Sequence, residues 1–319
     1  MFIGRKVHPY CSILFLVLVA LAGFGCEATG SEDPPRESEP GPVEPIYPIT
    51  IKDDLGRTVH IPARPERVIS LGPALTDTLY SIHSDPGVVA VDDYSNWPEA
   101  VANLPRAGGA VNPDYDLVQS LEPDVVFVPA EAVEMIAELE ERGMCVVAMG
   151  AQTFDDILAN IEIAGQILGM PDQAADLSGY LHATVQEISG AMAGVEEDQR
   201  PTVFFEMWPD PLMTQGSDTI IDDLINAAGG RNAASEYTGS WVILTDDELL
   251  EMDPDVIITT FRDTLSDLSR GKRGGWDHLT AVMEDRVYLI SSDVIVRPGP
   301  RVIEGLKHVA RILYPDLIE

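Results

Sequence analysis

The stretch from Asp116 to Phe127 reads Asp-Leu-Val-Gln-Ser-Leu-Glu-Pro-Asp-Val-Val-Phe. The stretch from Asp247 to Ile258 reads Asp-Glu-Leu-Leu-Glu-Met-Asp-Pro-Asp-Val-Ile-Ile. Each is an acid, a short segment with helical apolar spacing, then Pro-Asp, then a β-branched run. Proline stops the helix and the β-branched residues favour a strand. A chain that makes this helix-to-strand turn twice, 131 positions apart, is expected to form two similar α/β lobes. Two lobes make a cleft, and the repeat sets one acid, Asp116 or Asp247, at the head of a helix in each.

Working outward, further short apolar runs alternate with helical stretches. Arg67 to Leu71, Val88 to Val91, Asp124 to Val128 and Cys145 to Met149 are expected strands of the first lobe. Thr202 to Met207, Asp255 to Thr260 and Val287 to Ile290 are expected strands of the second. Continuous runs of this length suit strands covered on both faces, hence mainly parallel, Rossmann-like sheets. Between them lie a helix from Phe154 to Leu168, ended by Gly169 and Pro171, and a long Pro-free helical stretch that follows. About twenty helical residues span ~30 Å, enough for a stiff strut between lobes. The expected organisation is therefore a first lobe over 48–171, a linking helix over 172–196 and a second lobe over 197–319.

The start of the chain has a different character. Residues 1–25 read as a secretory signal peptide: Arg5 and Lys6 precede an apolar run from Ser12 to Ala22, too short to span a bilayer. The run ends in Gly23-Phe24-Gly25-Cys26, which resembles a bacterial lipoprotein processing site, so Cys26 is the expected lipid anchor, with plain secretion as the alternative. Residues 26–47 are rich in Pro, Glu, Ser and Gly and are expected to be a disordered tether. Apolar residues make up 45% of the chain, which gives each lobe material for a core, while a formal charge of −33 argues against nucleic acid or an anionic membrane as partner of the folded part. Membrane contact is expected through the lipid alone. Cys11 leaves with the signal peptide, and Cys145 stands alone in a strand, so no disulfide is expected in the folded part.

In open α/β sheets a ligand binds beyond the carboxyl ends of the strands. The residues that follow the expected strands are Tyr94, Ser95, Asn96 and Trp97; Trp208 to Leu212; Phe261 and Arg262; and Asp293 with Arg297. Trp241 stands just before the second echoed helix. Taken singly, each aromatic is as readily a packing residue as a ligand contact. Their shared address favours a bulky, partly apolar ligand. Arg297 can hydrogen-bond an amide or carboxylate of that ligand, with Asp293 orienting it. Arg301 is read as a brace at the start of the last helix, and Trp276 as a packing residue beneath it.

At these residues the chain resembles the solute-binding proteins of the iron–siderophore, haem and cobalamin ABC importers. The resemblance is carried by Asp53-Asp54-Leu55-Gly56-Arg57 before Arg67-Val68-Ile69-Ser70-Leu71, and by Pro73-Ala74-Leu75-Thr76-Asp77-Thr78-Leu79. The two Pro-Asp turns and Arg297-Pro298-Gly299-Pro300-Arg301 complete it, and it covers Ile49 to Ile318. It implies the class III periplasmic-binding-protein fold, two Rossmann-like lobes joined by a single long helix. Within the class the cobalamin binders are most similar. That likeness implies ligand contacts from Tyr94, Trp208, Leu212 (where those proteins have Phe), Trp241, Asp293 and Arg297. A further Trp of that group falls at about Ala110 here. It also implies that Asp116 and Asp247, standing for Glu, dock on a permease dimer with its ATPase subunits; the alternative is that each caps its helix. The expected ligand is cobalamin or a related corrinoid, carried as cargo by a monomer without cofactor or metal. Haem stays as a rival because a Tyr such as Tyr94 can ligate its iron. An anionic siderophore would ask for more converging cations than Arg297, Arg262 and Arg301.

An enzyme is not expected. No Gly-x-Gly-x-x-Gly follows a strand, Gly271-Lys272 is followed by Arg273 rather than Ser or Thr, and no Gly-x-Ser-x-Gly is present. His60, His83, His182, His278 and His308 show no metal-ligand spacing.

Overall fold

The computed structural model describes residues 47–83 and 85–317. The signal-peptide and Cys26 readings, and all but the last residue of the tether, lie outside the described residues. Two four-stranded sheets carry the molecule. In the first, Val88–Val91, Val68–Ser70, Val125–Pro129 and Val146–Met149 lie side by side, all parallel. In the second, Arg231–Asn232, Thr202–Glu206, Val256–Thr259 and Val287–Leu289 do the same. Both sheets thus run second, first, third, fourth in chain order, so the internal echo is a repeat of topology. Every residue of Val68–Ser70, Val146–Met149 and Val256–Thr259 is buried, as strands covered on both faces require. The short edge strand Arg231–Asn232 has no apolar run and was not among the expected strands.

The Pro-Asp turns have a structural reason. The carboxylate of Asp124 accepts hydrogen bonds from the backbone N–H groups of Glu66 and Arg67, both at 2.8 Å. The carboxylate of Asp255 accepts from the backbone N–H and the hydroxyl of Thr202, both at 2.7 Å. In each lobe the acid after the proline ties the start of the third strand to the start of the first. The motif before the first sheet is explained in the same way. Asp53, 5% exposed, accepts from the backbone of Leu55 and Arg57 and pairs with the Arg57 guanidinium at 2.6 Å, closing the turn between the antiparallel strands Ile49–Lys52 and Thr58–Ile61.

The echoed helices are Tyr115–Ser120 and Asp246–Met252. Their caps are Asp114, which accepts from Leu117 N–H, and Thr245, which forms a capping box with Glu248. Asp116 and Asp247 therefore do not cap; both sit at the second helical position, equivalent in the two lobes. The linking helix runs Pro171–Ala191 and stops short of 196, in a stretch that carries Gly190 and Gly194. Its buried face, Ala174, Ser178, Leu181, Thr184 and Ile188, follows helical spacing. It packs on helices Pro73–Ile82 and Phe154–Leu168 of the first half and on Ile220–Ala227 and Val302–Leu313 of the second. Gly165 permits the close approach to Phe154–Leu168, since a Cβ there would lie 2.3 Å from the Cβ of Ala174. None of the helices among the described residues is long and apolar enough to cross a membrane.

Candidate ligand-binding cleft

A cleft opens between the two sheets with about 1,210 Å³ of space, its open mouth included. Its enclosed part, about 370 Å³, lies within the ~300–1,000 Å³ usual for small-molecule sites, and the open mouth leaves room for a ligand that projects from it. One wall carries Pro73, Ala74, Pro129, Glu131 and Gln152, the other Met207, Gln215, Ser240, Trp241 and Arg297. Gly72, Pro73, Pro129 and Glu131 follow the first and third strands of the first sheet, the switch point at which such folds bind ligands. A smaller apolar hollow of about 480 Å³, lined by Phe154, Leu181, Val185 and Ile303, lies against the linking helix, away from the strand ends.

The second wall is built by a small antiparallel sheet of Trp208–Pro209, Leu212–Thr214 and Val242–Ile243. Trp208 stands opposite Met213, and Met213 opposite Ile243. Alternation along a strand turns Leu212, Thr214 and Val242 to the buried face. Trp208 (50% exposed), Met213 and Ile243 (62% exposed) line the other face. One step further along the same register come Gln215 and Trp241, both on the cleft. The Leu212 expectation is corrected here: its side chain is 6% exposed and packs with Phe204, Leu244 and Trp276. Met213 is the neighbour on the open face. Trp208 is steadied by the edge of Phe261, with ring centroids 5.3 Å apart, and by its indole N–H donating to the carbonyl of Asp210.

The loop carrying Tyr94 is held from below. Asp92 accepts from Tyr94 N–H at 3.1 Å and from the Ser95 hydroxyl, which also meets Thr76, itself bonded to Ser70. Arg106 donates to the carbonyls of Ser95 and Asp92. Burial pushes the Asp92 carboxyl up, against the pull of the bonds from Ser95 and Tyr94. The Tyr94 ring, 61% exposed, lies on Gly109, where a Cβ would come within 2.9 Å of it. Small residues at Gly109 and Ala110 leave that ring its place.

Across the gap, Arg297 pairs with Asp293 at 2.8 Å, the orienting role expected. Asn96, on the Tyr94 loop, completes a three-way contact. Its carbonyl accepts from Arg297 at 2.7 Å and its amide donates to Asp293 at 3.3 Å. On the cleft's other flank Ser240 donates to Gln152 at 2.9 Å. Arg301 lies over the Trp97 ring at 5.1 Å and reaches within 3.7 Å of Asp77, so it braces the two halves as well as its helix. Asp77 is 1% exposed, and one of its oxygens lacks a hydrogen bond. Burial drives its carboxyl to about 7, with Arg301 and Arg297 opposing and Asp293 and Glu304 assisting.

Of the expected ligand residues, Trp241 and Arg297 line the cleft, Asp293 holds Arg297, Trp208 is an exposed aromatic on the small sheet, Tyr94 one on a strand-end loop, and Leu212 is in the core. Met213 and Ile243 were not foreseen, and Asn96 was placed on its strand-end loop without a role of its own; period-two alternation around Trp208 could have pointed to Met213, while nothing local gives Asn96 its partners. Trp276 is fully buried and donates to Asp246. Asp116 and Asp247 are exposed, Asp116 with Arg142 at 2.8 Å.

Paired lobes with an intervening cleft are the architecture of a solute-binding protein, and comparison with known proteins supplies the family. Residues 68–294 match the periplasmic binding protein family, and the chain belongs to it. An uncharacterized ABC transporter substrate-binding lipoprotein, YvrC, of Bacillus subtilis is 31% identical over 318 residues, 98% of each chain. A cobalamin-binding protein of Halobacterium salinarum is 25% identical, covering 95% of this chain and 85% of its own. The crystal structure of the periplasmic vitamin B12 binding protein of Vibrio cholerae superposes with a TM-score of 0.68 at 22% identity, over 79% of this chain and 98% of that one. The chain is thus an extracytoplasmic substrate-binding protein of an ABC transporter. It is not an enzyme, carries its ligand as cargo and has no cofactor of its own. A permease and an ATPase are its implied partners.

Proposed function

We propose that this protein captures cobalamin or a related corrinoid between its lobes and delivers it to the permease. The observation that carries the reading is an open-mouthed cleft between the lobes, flanked by exposed aromatics and, among the described residues, poor in cations. Tyr94, Trp208 and Trp241, with Met213 and Ile243, offer flat apolar surface, and the one Arg on the cleft wall is already paired with an acid. A neutral macrocycle gains from such rings. Haem propionates or an anionic siderophore would meet Glu131 and one neutralised cation. The Halobacterium salinarum relative, named as a cobalamin binder, supports the choice.

Asp116 and Asp247 dock a monomer on a two-fold permease through one exposed helix start per lobe, with Cys26 as the lipid anchor that keeps it at the membrane. The linking helix, in contact with both halves, limits closure, so release depends on the permease prising the lobes. Equilibrium titration of the mature protein with cyanocobalamin, haemin and a ferric siderophore tests the ligand. Tight corrinoid binding with weak response to the others is expected; tight haemin binding with no corrinoid response overturns it.

A further inference from the structure

Asn96 is bound by Arg297 and Asp293 in the manner of a guest. A primary carboxamide sets a strong acceptor beside an NH2 donor group. Here the acceptor meets a guanidinium N–H at 2.7 Å and the donor meets a carboxylate oxygen at 3.3 Å, while that guanidinium and carboxylate hold each other at 2.8 Å. The host pair lies in the second half of the chain, 197 and 201 positions away. Asn96 is exposed, so its side chain can leave for water at little cost. Its backbone does not have to follow. Ser95 is bonded to Asp92 and Thr76, its carbonyl is held by Arg106 at 2.6 Å, and Trp97 lies under Arg301.

We propose that Asn96 is an internal stand-in at the Asp293–Arg297 pair, filling the place of a ligand's primary carboxamide until that carboxamide displaces it. The inference rests on the corrinoid reading for the identity of the ligand, since corrinoids carry primary carboxamides on their rim. The receptor itself is specified only by the chain's own contacts. Arg alone would prefer a carboxylate; the adjoining Asp293 supplies an acceptor that a carboxylate would oppose and an amide N–H would satisfy. The plug also keeps the two charges from recruiting the wrong anion while the cleft is empty. Affinity for the ligand is lowered by the fraction of time the plug is seated, and removing the plug returns it.

The direction of the effect tests the idea, because a residue that merely positioned Arg297 would act oppositely. Asn96→Ala should bind cyanocobalamin about three- to ten-fold more tightly than the parent, mostly through faster association. Both proteins should prefer cyanocobalamin over a corrinoid with carboxylates in place of its side-chain amides. Where cyanocobalamin binds the parent, equal or weaker binding by Asn96→Ala, or no amide preference, overturns the proposal. A second arm does not depend on corrinoids. Propionamide titrated at millimolar concentration should shift the Arg297 side-chain NMR signal saturably in Asn96→Ala and leave the parent unchanged. Absence of that response in the variant rejects the receptor. If propionamide binds the variant while cyanocobalamin binds neither protein, the receptor stands and the corrinoid reading fails.

Discussion

Replacing Asp77 by Asn should make stability less sensitive to pH in a predictable direction. Asp77 sits on the helix Pro73–Ile82, 1% exposed, and its nearest cation is Arg301 at 3.7 Å, without a hydrogen bond between them. Desolvation outweighs that attraction and raises the carboxyl from 3.8 to about 7. Between those values the folded chain holds a proton on Asp77 that the unfolded chain does not. Unfolding then releases a proton, so stability falls as pH rises across this window and levels off above about 7. At about 1.4 kcal/mol per unit the full shift corresponds to ~4 kcal/mol; relaxation around the charge makes ~2–4 kcal/mol the expected range. Urea unfolding of parent and Asp77→Asn at pH 4.5, 6, 7.5 and 9 would measure it, with two values inside the window and two above it. The many other acids of this chain titrate in both proteins, so the difference between the two isolates Asp77. The parent should lose stability relative to Asp77→Asn from the lowest pH to pH 7.5, with little change beyond. A difference independent of pH, or a parent that gains on the variant as pH rises, would refute the reasoning.

Trp241→Ala should weaken ligand binding by about 2 kcal/mol, roughly thirty-fold, with the melting temperature unchanged; isothermal titration reads the first and calorimetry the second. Gly109→Val should push the Tyr94 ring from its seat, lowering affinity and altering near-ultraviolet circular dichroism, whereas a change confined to stability would place Tyr94 outside the ligand's reach. Exchanging Asp116 and Asp247 for Arg should abolish uptake in cells while leaving ligand affinity within about twofold; normal uptake would remove them from the permease contact. Asp255→Ala should cost about 1.5–3 kcal/mol in urea unfolding, since it frees two donors of Thr202 at the head of the second sheet.

The repeat was legible because its signals are local. Each strand of the first sheet was placed within a residue of its ends, since a β-branched run bounded by Pro-Asp or Gly has few other uses. What escaped the sequence is tertiary. Arg231–Asn232 becomes a strand by lying beside Thr202–Glu206 rather than by its composition. Leu212 and Met213 are adjacent, and only the register with Trp208 and Ile243 decides which turns inward. Strands of two or three residues contain too little of the period-two pattern to reveal a face. Asp77 reads as a polar position on a helix until Arg301 arrives from the far end of the chain. Asn96 has the same character: its partners lie in the other half, and its role exists only once the lobes face each other. The acid of each Pro-Asp, Asp124 or Asp255, shows the converse, a residue visible in the sequence whose reason, the tie to the first strand, became clear only in the fold.

The most direct measurement of the account is a crystal structure of the mature protein grown with cyanocobalamin. The macrocycle should lie between the two sheets against Trp241 and Trp208, with Tyr94 on its first-lobe side and a peripheral group at Arg297. A structure with the corrinoid elsewhere on the surface, or with the cleft closed and those rings turned from the ligand, would contradict the central claim.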